Sequence, residues 1–317
     1  MNAQKNDSSL GVGLVLGSVL MWGTVGPAQI LAASNMGPLA LGGWRLLVGG
    51  LALGAFTVRD FKKLRALTSP PLLRPLLVCA LSTALYQATF LYSVSRTGAA
   101  LATVIALGTA PAAIGVCTRW ITGDRVNAAW VVSNVTAIAG CILLLAPGSN
   151  GADPLGLLLG VAAGICYGLY TVFAKRLAAD NPALPLPAVS ALSLTVGAVV
   201  LLPWIITDNA DLLGFRTLGL IAWLGLAATA LAYWLFTVGL SRVSATTVGT
   251  LSLAEPLAAA LLGILVLDEH LSGSALAGCA LIFGGLAATC LPRSRRRSPS
   301  PDAESHAETQ ATPAPAP

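Results

Sequence analysis

The chain has 317 residues, 56% of them hydrophobic and 10% charged, with a mean hydropathy of +0.79, whereas soluble domains carry about 45–50% apolar and 25% charged residues. So small a polar fraction excludes an ordinary water-soluble protein. The net charge of +5 is better explained by membrane topology than by a nucleic-acid partner.

Crossing a bilayer takes about 20 apolar residues. The gaps between charged side chains predict ten spans: 10–33, 38–58, 72–93, 99–121, 128–146, 154–174, 186–207, 217–239, 244–267 and 273–291. The second and the ninth each carry one interior charge, Arg45 and Glu255. The apolar runs are continuous, whereas strands of a membrane barrel alternate over about 10 residues. Helices also satisfy their own backbone in lipid. The expected fold is therefore an all-α integral membrane protein with ten transmembrane helices.

With the amino terminus (1–9) in the cytoplasm, 15 of the 18 Lys and Arg residues lie on the cytoplasmic side; only Arg96 and Arg216 lie outside, and Arg45 is within a span. Positive residues favour the cytoplasmic side. Both termini are thus expected inside a cell (inner) membrane. The first span exceeds a secretory h-region of about 7–15 residues and is expected to stay uncleaved. The six cysteines fall in apolar spans without a Cys-x-x-Cys pair, and the only histidines are His270 and His306. No metal site, cofactor or disulfide framework is expected. The tail 292–317, rich in Arg, Ser, Pro and Ala, reads as a disordered cytoplasmic segment whose arginines meet anionic lipid.

The two halves echo each other. Thr83-Ala84-Leu85 recurs as Thr229-Ala230-Leu231, Phe90 as Phe236, Ser95-Arg96 as Ser241-Arg242 and Ala99 as Ala245, all 146 positions on. Pro111 recurs as Pro256, and Asp124 as acidic Glu269, at 145. The units are 10–146 and 154–291. Five spans per unit send the second copy through the membrane in the opposite sense, so the repeats are inverted, an arrangement recurrent in transporters.

These residues resemble the drug/metabolite transporter superfamily, in particular its ten-helix EamA-type branch. The carriers are Met21-Trp22-Gly23, Tyr167-Gly168, Pro38 and Arg45, Ala99-Ala100 through Pro111, and above all Ser244-Ala245 through Ala254-Glu255-Pro256 to Leu267-Asp268-Glu269-His270-Leu271. Gly123-Asp124-Arg125 stands where the family usually shows a glutamate, and Ala110 stands where the second copy has Glu255. The resemblance implies a secondary carrier, often an exporter, for amino acids or other small metabolites.

A charge at mid-membrane depth costs about 2.5–3.5 kcal/mol on insertion scales and marks function by default. Arg45 can hold a substrate carboxylate and Glu255 an amine or a coupling proton; each can equally be a paired charge that fixes packing. The aromatics Trp22, Tyr86, Tyr167, Tyr170, Tyr233 and Trp234, with Gln29 and Gln87, are expected to line the substrate cavity. Pro111 and Pro256 are candidate gating bends, because proline removes a helical hydrogen bond. Small residues four apart, at Gly13/Gly17, Gly50/Gly54 and Gly160/Gly164/Gly168, are expected at helix crossings.

The chain has no Walker loop for ATP coupling. The reading is a secondary-active exporter working by alternating access, with a small-molecule substrate, the lipid bilayer and protons as partners. An uptake carrier or facilitator is the alternative within that class. A non-transporting scaffold or an intramembrane enzyme is the alternative outside it. One mid-span acid and no mid-span histidine argue against an enzyme. Monomer and homodimer both stay open.

Overall fold

The computed structural model describes residues 2–57, 70–121, 123, 127–145, 153–181, 184–208, 212–268 and 272–290. The tail 292–317, Asp124, Glu269 and His270 lie outside the described residues. The helices are α1 (Asn2–Gly23), α2 (Val25–Ala32), α3 (Pro38–Thr57), α4 (Pro70–Thr97), α5 (Ala99–Ile121), α6 (Ala128–Leu145) and α7 (Pro154–Asp180). They continue with α8 (Leu186–Val200), α9 (Leu202–Thr207), α10 (Phe215–Ala222), α11 (Ala232–Arg242), α12 (Ala245–Ser252), α13 (Glu255–Leu267) and α14 (Gly273–Cys290). A π-helical stretch, Trp223–Leu231, joins α10 to α11, and no strand occurs among the described residues.

Among the described residues, seven helical stretches are long and apolar enough to cross a membrane: Asp7–Ala32, Pro38–Thr57, Leu72–Thr97, Ala99–Ile121, Pro154–Asp180, Phe215–Arg242 and Ala245–Val266. Ala128–Leu144, Leu186–Val200 and Gly273–Ala288 are shorter apolar helices. At 1.5 Å per residue the 18 residues of α6 and of α14 reach about 27 Å, close to the thickness of the hydrocarbon core.

Proline explains the breaks. A proline cannot bond the carbonyl four residues back and its ring crowds it. α1 stops at Gly23, four before Pro27; α12 stops at Ser252, four before Pro256; and α8 stops at Val200, just ahead of Pro203. α5, by contrast, runs unbroken through Pro111. The two proposed bends therefore differ: the one at Pro256 is a true interruption and the one at Pro111 lies inside a continuous helix.

In the packing, α4 lies on α7, α1 on α11, α5 on α7, α3 on α8 and α6 on α14. α4 also meets α8, as the π-helical stretch meets α3. The main core joins Val15, Val19 and Trp22 of α1 with Cys79 of α4, Tyr170 and Ala174 of α7, and Phe236 and Leu240 of α11. Of the small-residue rows, Gly50, Gly160, Gly164 and Gly168 abut neighbouring helices. Gly13 meets nothing within 4 Å and is exposed, which corrects its expected role at a crossing.

Outside the spans, Asp153 caps α7 by accepting from the Leu155 amide at 2.9 Å. It also accepts from Arg96 at 2.7 Å. The Arg96 hydrogen bond, and then the Leu155 amide, hold its carboxyl below the usual range. A depressed carboxyl contributes its stability above its unfolded value and loses it as pH falls through the lowered one.

Candidate functional site

Four helices converge on one small space. Trp22 comes from the last turn of α1, Ser82, Thr83 and Tyr86 from α4, Cys166, Tyr167 and Tyr170 from α7, and Tyr233 and Phe236 from α11. The spacings 82/83/86, 167/170 and 233/236 put each group on one helix face. Trp22 packs edge-on to Tyr233 at 5.6 Å and tilted on Phe236 at 5.4 Å. Tyr86 meets Tyr167 at 6.2 Å, and Tyr167 meets Phe236 at 6.2 Å. The enclosed volume is about 10 Å³, room for about one water. The rings close the space, so a solute larger than water fits only after the helices part.

The polar tips are unequally served. The Tyr170 hydroxyl shares a hydrogen bond with the Ser190 hydroxyl at 2.6 Å, and the Tyr167 hydroxyl shares one with Ser252. The Trp22 indole N–H is buried, at 8% exposure, without a hydrogen-bond partner among the described residues. A buried unsatisfied donor costs about 1–3 kcal/mol, which an oxygen acceptor on a bound solute offsets.

Glu255 opens α13, directly after the turn at Leu253 and Ala254. A carboxylate is stabilised there by the amide groups of the helix start. It is half-buried, lies within the electrostatic field of Arg45, Tyr86, Tyr167 and Tyr233, and makes no hydrogen bond among the described residues. The Arg45 side chain is engaged: its Nε donates to Thr229 Oγ1 at 2.8 Å and its Nη2 to the Ala228 carbonyl at 3.3 Å. Both acceptors belong to the π-helical stretch, a type of irregularity frequent at functional sites. Arg45 thus fastens α3 to that stretch and keeps spare N–H donors.

The structure brings Trp22, Tyr86, Tyr167, Tyr170 and Tyr233 around one space, with Glu255 and Arg45 in electrostatic reach of Tyr86. Trp234 is 40% exposed, outside the wall: it follows Tyr233, and one helical residue turns the side chain by about 100°. Gln29 is also outside it. It lies on α2 beyond the break, exposed, and bonds the Val25 carbonyl of its own helix at 3.2 Å. Gln87 is 7% exposed and packs toward Gly42 of α3, not into the ring cluster. Ser82, Thr83, Cys166, Phe236 and Ser252 were missed. The recurrence of Thr83 as Thr229 and of Phe90 as Phe236 was the available signal.

Replacing Pro256 by Ala restores an amide that can bond the Ser252 carbonyl. The expected result is that α12 and α13 join and amide hydrogen exchange over 253–257 slows. An unchanged exchange rate there contradicts the role given to this proline.

The EamA-like transporter family model matches residues 9–146 and again 154–291. An uncharacterised transporter of Bacillus subtilis, YwfM, is 38% identical over 86% of this chain and 90% of its own length. The threonine/homoserine exporter RhtA of Salmonella typhimurium is 31% identical over 77% of this chain and 79% of its own. A crystal structure superposes with a TM-score of 0.74 at 23% identity, covering 88% of this chain and 97% of that one, a likeness of fold alone. Matched along nearly its whole apolar length, the chain belongs to the EamA-like transporter family, multi-pass membrane transporters and not enzymes.

Proposed function

We propose that the protein is a secondary carrier that exports an amino acid or a related small metabolite by alternating access. Ten helical rods form two inverted units, 10–146 and 154–291, flanked by a cytoplasmic segment 1–9 and a cytoplasmic tail 292–317. The observation that carries this reading is the closed ring-lined space itself. Two of its walls, α1 and α4, come from the first unit and two, α7 and α11, from the second.

The packing supports the duplication. With an offset of 145 or 146, the α4/α7 contact corresponds to α11/α1, the α5/α7 contact to α12 and α13 on α1, and the α4/α8 contact to the π-helical stretch on α3. The α3/α8 and α6/α14 contacts correspond to themselves. A two-fold relation between units produces such pairs. The name of RhtA supports export and an amino-acid substrate.

Trp22, Tyr86, Tyr167, Tyr170 and Tyr233 form the substrate wall, Glu255 takes an amine or the coupling proton, and a spare donor of Arg45 takes a carboxylate. The bend at Pro256 serves gating. The test is counterflow in proteoliposomes preloaded with unlabelled threonine, homoserine or aromatic amino acid. Accumulation of external label is expected for at least one of them. No accumulation of any overturns the substrate class, and a rate indifferent to pH and to a proton gradient overturns coupling in favour of a facilitator.

A further inference from the structure

The cavity is a seam between two helix crossings. α1 and α11 supply Trp22, Tyr233 and Phe236 on one side; α4 and α7 supply Tyr86, Tyr167 and Tyr170 on the other. Each crossing carries an ion pair at its end. Arg242 Nε in the last turn of α11 is 3.0 Å from Asp7 Oδ1 of α1, and Arg96 Nη1 in the last turn of α4 is 2.7 Å from Asp153 Oδ2 before α7. These pairs repeat each other: Asp153 follows Asp7 by 146 positions, and Arg242 follows Arg96 by the same 146. The backbone beneath them repeats too. A Cβ on Gly11 would lie 2.7 Å from Arg242 Cβ, and one on Gly156 would lie 3.0 Å from Arg96 Cβ. Each crossing is therefore close-packed and carries one ion pair at its end.

A further side chain at these ends bridges the seam, and it has no counterpart among the described residues. Lys175 of α7 donates from Nζ to the Leu240 carbonyl at 2.9 Å and to the Ser241 carbonyl at 3.0 Å, at the end of α11. Its position 146 residues earlier is Gln29, and the matching carbonyls are those of Val94 and Ser95. Gln29 instead bonds Val25 on its own helix. The break ahead of Pro27 separates α2 from α1, whereas α7 continues unbroken to Asp180 and carries Lys175 to α11. The seam is therefore latched at the Lys175 end, and the corresponding latch at the other end is missing among the described residues.

We infer that Lys175 is a one-sided latch, which holds the two crossings together at the cytoplasmic end of the seam and must let go of α11 before the site opens inward. The side assignment rests on the inverted-repeat reading above; the latch itself does not. Its physical basis is a cation set against the terminal carbonyls of α11, where helix ends attract positive charge. Lys175 is a positioning residue: it acts on the separation of α7 from α11, not on the solute.

A native thiol reports on it. Cys166 lines the closed space and lies nine residues before Lys175 on α7, about 13 Å at helical rise. Cys79, at 0% exposure in the core, reports on general loosening. A membrane-impermeant maleimide is applied to inverted vesicles and to right-side-out spheroplasts, and alkylation of each cysteine is read by peptide mass spectrometry. Lys175→Met keeps the stem and removes the donors, and Lys175→Arg restores a cationic donor. The expected result is a rise of at least about ten-fold in Cys166 alkylation for Lys175→Met, from loss of charge-assisted hydrogen bonds. It should occur in inverted vesicles only, with Cys79 unchanged and with protection regained in Lys175→Arg. An unchanged Cys166 rate, a parallel rise at Cys79, or a rise from the outer face overturns the latch. None of these readouts needs a known substrate, so absent counterflow in the parent protein would count against the carrier reading and leave the latch standing.

Discussion

On the proposed proton coupling, Glu255→Gln is expected to reduce gradient-driven transport by roughly ten- to hundred-fold at equal membrane expression, the equivalent of losing one charge-assisted hydrogen bond of about 1.5–3 kcal/mol. The effect follows from where this carboxylate lies. It sits at the start of α13 with no hydrogen bond among the described residues, where a neutral isostere is cheaper to bury. The variant should fold as the parent does. Arg45→Ala is expected to reduce transport as well, but with a loss of stability. Removing the guanidinium leaves Thr229 and the Ala228 carbonyl of the π-helical stretch without their partner. Transport unchanged in both variants, measured in proteoliposomes, removes the two charges from the site.

Gly140→Leu is expected to destabilise the protein by about 3 kcal/mol or more, the upper range for overpacking. α6 crosses α14 so closely that a Cβ at 140 would lie 2.6 Å from the Gly278 carbonyl oxygen and 2.8 Å from the Ile282 amide nitrogen. These are backbone atoms, and no rotamer change moves them aside. The same crossing recurs at an offset of 145, where a Cβ at Gly285 would lie 2.6 Å from the Ser133 carbonyl oxygen. The companion variant Gly13→Leu, at an exposed position with nothing within 4 Å, should leave the thermal midpoint in detergent unchanged. Equal midpoints for Gly140→Leu and its parent would show that α6 and α14 do not pack in this way.

Much of the site was legible because lipid imposes simple rules on a chain. A charge at mid-depth is costly, so Arg45 and Glu255 stood out, and aromatics spaced three apart on a helix share a face, so Tyr167 and Tyr170 were readable as neighbours, which face the same space. The same reasoning failed at Trp234 and Gln29. Adjacent residues differ by about 100° around a helix, and composition does not say which of Tyr233 and Trp234 turns inward. For Gln29 the break ahead of Pro27 turned an expected wall residue outward. The engagement of Arg45 by Ala228 and Thr229 was also unreadable, since it depends on a π-helical stretch that no local pattern announced.

Sequence alone determined that the chain is apolar and helical and that one family pattern recurs in its two halves, because hydrophobic length and recurrence are properties of residue order. Tertiary structure alone decided which faces meet. It joined Asp7 to Arg242 across 235 positions, set Lys175 against the end of α11 but left Gln29 without the matching bond, and closed the rings to about 10 Å³. Those outcomes depend on helix rotation, on proline breaks and on how near two backbones can come, which only the packed bundle specifies.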